Sequence, residues 1–207
     1  MKLVSLMSNG IDSPVASYRM SLMGADVILL HMDNRPYTDD RSVENVKAIA
    51  ERLREVTGKE FPLYMAPHGD NQAEISEKCD RSYQCVMCKR VMQRTARELA
   101  KMLGADAIVM GDSLGQVASQ TLRNIRSENI GLDFPVIRPL IGMDKLEIEA
   151  IAKEIGTYDI SVRPTDGCTI VPVGPVTNAD PEKVAAFGER IDVDAIARRS
   201  AEAARLI

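Results

Sequence analysis

Two groups of residues in this 207-residue chain have the types and spacing that chemistry needs: a polar turn near the N-terminus and a set of cysteines. The turn reads Ser8-Asn9-Gly10-Ile11-Asp12-Ser13-Pro14 and lies between an apolar run and a helical stretch. A strand, a small polar turn and a helix start form an anion site, because free backbone N–H groups and the helix dipole point at one spot. Ser8 and Ser13 add hydroxyl donors, and Gly10 lets a phosphate approach the backbone. The turn therefore predicts a phosphate-binding loop.

This phosphate loop differs from a Walker loop, since it contains no Gly-Lys-Ser/Thr sequence. Its acidic residue, Asp12, would repel a bare phosphate, so we expect a divalent cation between the carboxylate and the phosphates. The alternative is an ordinary turn in which Asp12 caps the following helix. The residues alone support both interpretations equally.

The cysteines form the second group. Cys85 and Cys88 make a CxxC pair just before, or in the first turn of, a helix, and Cys168 lies in a Pro/Gly-rich stretch. In a reducing compartment such a pair is typical of a metal site or a redox site, and the pair itself favours neither. The chain has only 2 histidines, which supplies a mixed Cys/His zinc site poorly. Cys79 could be a fourth ligand, but a semi-buried free cysteine is the favoured interpretation.

Composition limits the class of protein. With 45% hydrophobic and 27% charged residues, the chain resembles ordinary globular proteins. The longest apolar run, 27–30, is far too short to span a bilayer, and the N-terminus lacks the pattern of a signal peptide. We therefore expect a cytoplasmic protein with no membrane association. The net charge of -4 and the absence of Trp argue against a nucleic-acid binder overall.

A local basic rim for nucleic acid is still conceivable from the sequence, although solvated helix faces are the favoured interpretation. The residues concerned are Lys89, Arg90, Arg94, Arg97, Arg123 and Arg126. Tight autonomous binding of nucleic acid is therefore not expected.

Hydrophobic periodicity predicts the elements that must position these residues. Short β-branched runs alternate with amphipathic stretches, which predicts an open, mostly parallel α/β sheet with helices on both faces. The predicted strands span 2–7, 26–33, 61–66, 107–110 and 134–138. Helices are predicted over 15–23, 42–57, 92–103 and 146–155, and a glycine follows each of the last three as a stop signal.

The C-terminal part of the chain changes character at 161–180, where Pro and Gly interrupt every pattern. A long ordered loop in a compact domain usually serves function. Residues 181–207 return to a helical pattern, with Pro181 at a plausible first helical position. We therefore predict a first domain of 1–180 and a C-terminal helical extension of 181–207 that packs on it.

Four motifs carry a resemblance to a known family. They read Asp12-Ser13-Pro14-Val15-Ala16-Ser17, Cys85-Val86-Met87-Cys88-Lys89-Arg90, Gly111-Asp112-Ser113-Leu114-Gly115-Gln116-Val117-Ala118-Ser119-Gln120-Thr121 and Arg138-Pro139-Leu140-Ile141-Gly142-Met143-Asp144-Lys145. Over about residues 2–168 the chain resembles the PP-loop ATP pyrophosphatases, and more closely the tRNA 4-thiouridine synthetase (ThiI) family. The resemblance implies an adenine nucleotide alpha hydrolase-like fold. Two departures are Asn9 in place of the usual second glycine and Asp112 in place of the usual glutamate.

The resemblance also implies cofactors and roles. ATP and Mg²⁺ would bind at the phosphate loop, and the catalytic residues would be Asp12, Lys145 and Cys168. The implied ATP-binding residues are Met7, Ser8, Gly10, Ser13, His31, Met32, Lys89, Gly111 and Gln120. His31 and Met32 would contact adenine, which agrees with ligand binding at the carboxyl ends of strands in open α/β sheets. Alternatively, His31 is a strand-end histidine whose hydrogen bonds are made within the fold, and Lys89 and Lys145 are surface lysines.

In archaeal-type members of this family, a CxxC pair and a loop cysteine are understood to hold an iron–sulfur cluster. Cys85, Cys88 and Cys168 match that set, which implies metal ligands for a [4Fe–4S] cluster with one open iron. The open iron would bind hydrosulfide as the sulfur donor. The alternative is a persulfide on Cys168 that exchanges with a disulfide at Cys85 or Cys88.

These implications predict an ATP-dependent sulfurtransferase that adenylates a carbonyl oxygen and replaces it with sulfur, releasing AMP and pyrophosphate. We expect the acceptor to be uridine in tRNA, presented by a separate RNA-binding subunit because the chain is expected to be the catalytic core only. Alternative acceptors are a small molecule or a carrier protein, as in thiazole synthesis for thiamine. Other classes are an adenylating ligase or amidotransferase and a non-catalytic nucleotide or cluster binder. A homodimer is compatible with the sequence.

Overall fold

A computed structural model describes residues 1–207, which form nine α-helices and six strands. In chain order they are β1 (Lys2–Leu6), α1 (Asp12–Leu22), β2 (Asp26–Asp33), α2 (Asp40–Thr57), β3 (Leu63–Pro67), α3 (Gly69–Lys78), α4 (Gln84–Leu103), β4 (Ala107–Val109), α5 (Leu122–Asn129), β5 (Val136–Ile137), α6 (Lys145–Glu154), α7 (Tyr158–Ser161), α8 (Pro181–Arg190), α9 (Val193–Glu202) and β6 (Arg205–Leu206). The strands form one sheet in the order β5-β4-β1-β2-β3-β6. Strands β1 to β5 run parallel and β6 runs antiparallel to β3, so the predicted mostly parallel sheet is confirmed.

Helices cover both faces of this sheet because the strand residues that point to either side are apolar. On one face, Leu3 and Leu29 pack with α1, α2 and α6. On the other face, Val4 and Leu30 pack with α4 and α9. A third apolar cluster joins α3 and α4 to α8 and α9, which packs the C-terminal helices against the rest of the chain.

The predicted strands lie where the structure has strands: β2 spans the predicted residues, and the other four differ by one or two residues at their ends. Helices α3 and α5, however, have no counterpart among the predicted elements. The buried residues of α5 are Asn124, Ser127 and Glu128, and α3 buries a single large apolar side chain, Ile75. Because these helices bury polar faces, no apolar periodicity marks them in the sequence.

The end of the chain corrects one prediction. The helical pattern over 192–207 predicts a helix to the last residue, but α9 ends at Glu202 and Arg205–Leu206 form β6. The N–H of Ile207 donates to the carbonyl of Leu63 at 2.9 Å. The edge of β3 offers unpaired backbone groups, and pairing with them stabilises strand over helix here.

Three of the six basic residues contradict both sequence interpretations, a basic rim for nucleic acid and solvated helix faces. Arg90, Arg94 and Arg97 are buried, so they form neither a basic rim nor a solvated helix face. Arg94 donates to the carbonyls of Glu128 at 3.3 Å and Ile130 at 2.6 Å, and Arg90 donates to the latter at 2.8 Å. Carbonyls at a helix C-terminus lack intrahelical partners, so these cations close the end of α5.

No helix in the structure combines the length and the apolar character that crossing a bilayer requires.

We predict that Arg94→Ala destabilises the fold by about 2–4 kcal/mol, because it leaves buried carbonyls of α5 without donors and opens a cavity. The measurement is the free energy of unfolding from urea titration followed by circular dichroism. The matched control is Arg126→Ala, which removes an exposed arginine of α5 and should cost less than about 0.5 kcal/mol. Equal losses in the two variants would contradict a capping role for Arg94.

Candidate functional site

A cavity of about 370 Å³ opens at the carboxyl ends of β1 and β4, where open parallel sheets bind ligands. Eleven of the site residues predicted from the sequence line it: Met7, Ser8, Gly10, Asp12, Ser13, Cys85, Cys88, Lys89, Gly111, Gln120 and Cys168. A larger cavity of about 560 Å³ lies at the amino ends of the strands. Its lysines, Lys2 and Lys59, already donate to main-chain carbonyls, so the smaller cavity is the candidate site.

The phosphate loop forms one wall of this cavity. The N–H of Ser8 donates to Ser13 Oγ at 2.9 Å, and the two hydroxyl oxygens lie 3.1 Å apart. Helix α1 begins at Asp12, and its N-cap position, Ile11, provides no side-chain hydrogen bond. The alternative in which Asp12 caps the helix is therefore wrong. The first turn of α1 keeps N–H groups available to an anion.

Gly111, just after β4, lies against this loop. A Cβ atom at this position would stand 2.8 Å from Ser13 Cα and 2.9 Å from Ser13 N. Real Cβ atoms do not approach backbone atoms so closely, so only glycine permits the end of β4 to touch the start of α1.

Lys145 reaches the phosphate loop from the first position of α6, where it forms an ion pair with Asp12. A capping box fixes this helix start: Asp144 accepts from Leu146 N at 2.9 Å, and Glu147 accepts from Asp144 N at 2.8 Å. Lys145 does not itself line the cavity, but its ammonium group lies beside a carboxylate that does.

A buried charge cluster borders the site. Asp112 accepts from Lys89 at 2.8 Å and from Arg138 at 3.0 Å. Burial alone would raise the pKa of the Asp112 carboxyl, but these two cations hold it below its ordinary value. Two cations share one anion, so the cluster carries a positive charge toward the cavity.

Glu128 lies behind this cluster and is fully buried. Its closest hydrogen-bond donor is Gln93 Nε2 at 3.5 Å, and its Oε1 atom has no partner. Burial raises the pKa of Glu128 to about 8, against the opposing charges of Lys89 and Arg138. The carboxyl is therefore largely protonated at neutral pH.

The three cysteines also line the cavity. Cys85 and Cys88 stand in the first two turns of α4, and Cys168 comes from the long loop. No set of three or more His, Cys, Asp or Glu side chains is arranged in this structure to hold a metal ion. Burial raises the pKa of both Cys85 and Cys88, and the nearby Cys168 raises it further. A cation bound among the three sulfurs would remove that repulsion, so the thiols suit a thiophilic metal group in donor type.

Contacts on two sides hold the loop that carries Cys168. Thr169 N donates to the carbonyl of Tyr37 at 2.9 Å, and Arg41 pairs with Asp166 at 2.9 Å. On the other side, Asn9 Nδ2 donates to Thr165 Oγ1 at 3.3 Å. Asn9 thus uses its side chain to join the phosphate loop to the cysteine loop.

His31, Met32 and Cys79 lie outside the cavity lining. His31 is buried and its Nδ1 atom lies 3.0 Å from the carbonyl of Met7, while Met32 packs in the core on the other face. Burial lowers the pKa of His31. Cys79 lies in the apolar cluster of α3, α4, α8 and α9, where burial raises the pKa of its thiol to about 11.

Sequence reasoning missed several polar residues of the site: Asn34, Gln72, Gln84 and Arg138. Gln72 Nε2 donates to Cys88 Sγ at 3.0 Å and to Asn34 Oδ1 at 3.0 Å. Gln72 belongs to α3, a helix that the sequence pattern does not reveal. Arg138 opens the motif at residues 138–145. Its cationic side chain at the end of a predicted strand was the sequence signal that indicates a site residue.

Comparisons with known sequences agree with one another. The family model described as "Thiamine biosynthesis protein (ThiI)" matches residues 1–193. A "Probable tRNA sulfurtransferase" of Methanothermobacter thermautotrophicus is 48% identical over 193 residues, covering 93% of this chain and 50% of the relative. Another, of Methanosarcina mazei, is 40% identical over 207 residues, covering 100% of this chain and 51% of the relative. The chain thus spans about half the length of the curated relatives it matches.

Two solved structures resemble the chain. A crystal structure described as a 4-thiouridine synthetase–RNA complex with bound ATP has a TM-score of 0.93 and 35% identity, covering 100% of this chain and 54% of that chain. The NMN synthetase of Francisella tularensis has a TM-score of 0.59 and 12% identity, covering 95% of this chain and 83% of that one. The second likeness concerns the fold alone.

We predict that Glu128→Gln makes the fold less sensitive to alkaline pH. The folded-state pKa lies above the unfolded value of about 4.3, so the folded chain binds the extra proton and stability falls as pH rises from about 4 to about 8. Glu128→Gln lacks this loss. Its free energy of unfolding minus that of the parent should therefore be about 2–4 kcal/mol higher at pH 9 than at pH 4. The measurement is urea unfolding across pH.

The matched control for this experiment is Glu44→Gln, which replaces an exposed glutamate of α2. A pH profile of Glu128→Gln that follows the parent and this control would contradict the proton held on Glu128.

Proposed function

Since the family model covers residues 1–193 and relatives reach 48% identity, the chain belongs to the ThiI family, and we propose that it is an ATP-dependent sulfurtransferase acting on uridine in tRNA. One observation carries the proposal. The phosphate loop and three cysteines line a single cavity, so a nucleotide-activating site and a sulfur-handling site share one space. A nucleotide-binding protein without sulfur chemistry would not need three cysteines in its binding cavity.

ATP is proposed to bind with its phosphates against the phosphate loop and the first turn of α1. The solved relative with a TM-score of 0.93 holds ATP, which supports this assignment. Lys89 and Asp112 line the same cavity, and the net positive charge that they share with Arg138 attracts polyphosphate. Lys145 is proposed to leave Asp12 for the phosphates, where it stabilises charge on the leaving pyrophosphate.

Magnesium suits the residues present. Mg²⁺ is usually held by one or two carboxylates together with substrate phosphates, and Asp12 supplies a carboxylate within the phosphate loop. When bound there, the ion would neutralise phosphate charge. Asp12 would then exchange its contact with Lys145 for one with the ion.

The proposed reaction has two balanced steps. In the first, the carbonyl oxygen of the base attacks the α-phosphorus of ATP, a P–O bond to pyrophosphate breaks, and the base carries AMP on that oxygen. In the second, hydrosulfide attacks the carbon of the base that bears this oxygen, and the C–O bond breaks to release AMP. Loss of the sulfur-bound proton then leaves a thiocarbonyl. No electron is gained or lost overall, so hydrosulfide requires no reductant.

Cys85, Cys88 and Cys168 are proposed to hold an iron–sulfur cluster, since the three thiols line one cavity and cysteine thiolates are the usual ligands of such clusters. Held by these three ligands, a [4Fe–4S] cluster would leave one iron without a protein ligand, and that iron would be able to bind hydrosulfide. Four free cysteines and no disulfide suit a reducing compartment such as the cytoplasm.

RNA is proposed as the acceptor because the solved relative is an RNA complex. The chain itself is acidic, with a net charge of -4, and only Arg123 and Arg126 of the six basic residues named above are exposed. We therefore propose that an RNA-binding unit beyond these residues, such as a separate subunit, presents the tRNA. The family description names thiamine biosynthesis, so a sulfur acceptor of that pathway is the second candidate.

We predict that Lys145→Ala slows pyrophosphate release with tRNA and ATP by about 100-fold or more, because a charge that stabilises the leaving group is lost. The dissociation constant for ATP should change much less. Stopped-flow assay of pyrophosphate and equilibrium binding of ATP measure the two quantities. Lys153→Ala on the same helix is the control and should match the parent. Equal losses in the rate of pyrophosphate release and in the affinity for ATP would show that Lys145 contacts bound ATP before the reaction and does not act on the transition state.

We predict that replacing Cys85, Cys88 or Cys168 by alanine removes bound iron and thiolation together, while ATP–pyrophosphate exchange partly survives. Iron analysis after anaerobic reconstitution and mass spectrometry of tRNA nucleosides provide the measurement, with sulfide as donor. Cys79→Ala is the control and should retain both. Loss of thiolation in Cys168→Ala without loss of iron would support the persulfide route, and thiolation of a thiazole precursor instead of tRNA would support the second candidate acceptor.

A further inference from the structure

Two segments of the chain that line the candidate site also line a second, smaller cavity. Residues within 117–120 and 168–171 contribute to the candidate site. Residues that follow them in the chain line a cavity of about 290 Å³: Arg123, Arg126, Ala179 and Pro181. Arg123 follows Gln120 by three positions, so their Cα atoms lie no more than about 11 Å apart. This arginine cavity therefore lies beside the candidate site.

Hydrogen bonds between the two segments hold the arginine cavity in place. Thr121 Oγ1 donates to the carbonyl of Thr177 at 2.7 Å. The side chain of Asn124, which is buried, donates to the carbonyl of Val176 at 2.7 Å and accepts from Ala179 N at 2.9 Å. These contacts fix the start of α5 against the end of the long loop, so the two cavities keep one arrangement.

The two arginines have no carboxylate partner. Arg123 and Arg126 lie three positions apart on α5, so their exposed side chains are neighbours on one face of the helix. Arg123 donates to Asn178 Oδ1 at 2.8 Å, and neither arginine forms an ion pair. No acidic side chain lines the cavity, and the carboxylate of Asp180 caps α8. Guanidinium groups bind phosphate through paired hydrogen bonds, so this cavity suits a phosphate backbone.

The same two segments place exposed apolar side chains at the candidate site. Val117 and Val171 line the site, yet 56% and 50% of their surfaces are exposed. Val173, two positions further on, is entirely exposed. Exposed apolar surface at a cavity marks a binding surface, and apolar side chains pack on the faces of a base that leaves its stack. Cations for phosphates and apolar surface for a base therefore lie side by side.

We propose that Arg123, Arg126, Val117 and Val171 form an acceptor-strand surface, which binds the RNA strand that carries the reacting base. The arginines hold phosphates of the strand, and the valines contact the base as it enters the cavity. Because the chain as a whole carries a net charge of -4, this attraction is local, and an RNA-binding unit still supplies most of the affinity. The inference rests on the proposed function in taking RNA as the acceptor.

The experiment measures binding of a fluorescein-labelled decauridylate RNA to the full chain by fluorescence anisotropy over a series of salt concentrations. The double variant Arg123→Gln/Arg126→Gln should weaken binding about tenfold at low salt. Each lost phosphate contact makes the slope of log binding constant against log salt shallower by about 0.7, so this variant should change the slope by about 1.4. Arg198→Gln/Arg199→Gln removes the same charge from exposed positions of α9 and should follow the parent.

The apolar part of the surface has its own variant. Val171→Asn makes the mouth of the candidate site polar without changing charge, so it should weaken binding of the same RNA about threefold at an unchanged salt slope. With an unmodified tRNA transcript, the KM for tRNA in thiolation should rise about tenfold or more in Arg123→Gln/Arg126→Gln and stay at the parent value in Arg198→Gln/Arg199→Gln.

Several outcomes would overturn the proposal. They are an unchanged salt slope in the arginine variant, an equal change in the α9 control, and failure of the parent to bind the RNA. Arginine-dependent binding of a labelled decaglutamate peptide in place of the RNA would assign the surface to an acidic protein. If urea unfolding shows that the double variant does not fold, Arg126→Gln decides the question with half the change in slope. Arginine-dependent RNA binding without thiolation of tRNA would leave the surface standing and contradict the proposed function.

Discussion

The contact between Gly111 and the backbone of Ser13 is the constraint on which the site depends. Because position 111 carries no Cβ, the end of β4 lies directly against the start of α1. Asp112, the next residue, is thereby placed beside Lys89 of α4 and Arg138 after β5. One backbone approach thus gathers the phosphate loop, the first turns of α4 and the segment after β5 around a single cavity.

Buried charge divides that cavity into two halves with different chemistry. On one side, Lys89 and Arg138 share the carboxylate of Asp112, and the remaining positive charge suits phosphates. On the other side, burial and the nearby Cys168 raise the pKa of Cys85 and Cys88, and the opposing charge of Lys89 does not cancel this effect. The thiol side therefore suits soft metal or sulfur rather than phosphate.

The two halves are joined through the loop that carries Cys168. Thr165 of this loop receives a hydrogen bond from Asn9 in the phosphate loop, and Ser161 donates to the carbonyl of Gly10. The side chain of Asn9 supplies the first of these contacts. The position of the loop cysteine thus depends on the conformation of the phosphate loop.

The sequence by itself determined the parallel sheet and the phosphate loop, because strands buried on both faces and a polar turn at a strand end leave strong local patterns. The family resemblance, rather than any local pattern, predicted cavity residues such as Lys89, Gly111 and Gln120. The sequence missed α3 and α5, whose buried faces are polar, and with α3 it missed Gln72 beside Cys88. It also extended the last helix through β6, since only the open edge of β3 favours a strand there. Only the tertiary structure decided which donors face which sulfur, because such contacts join residues far apart in the chain and leave no local pattern.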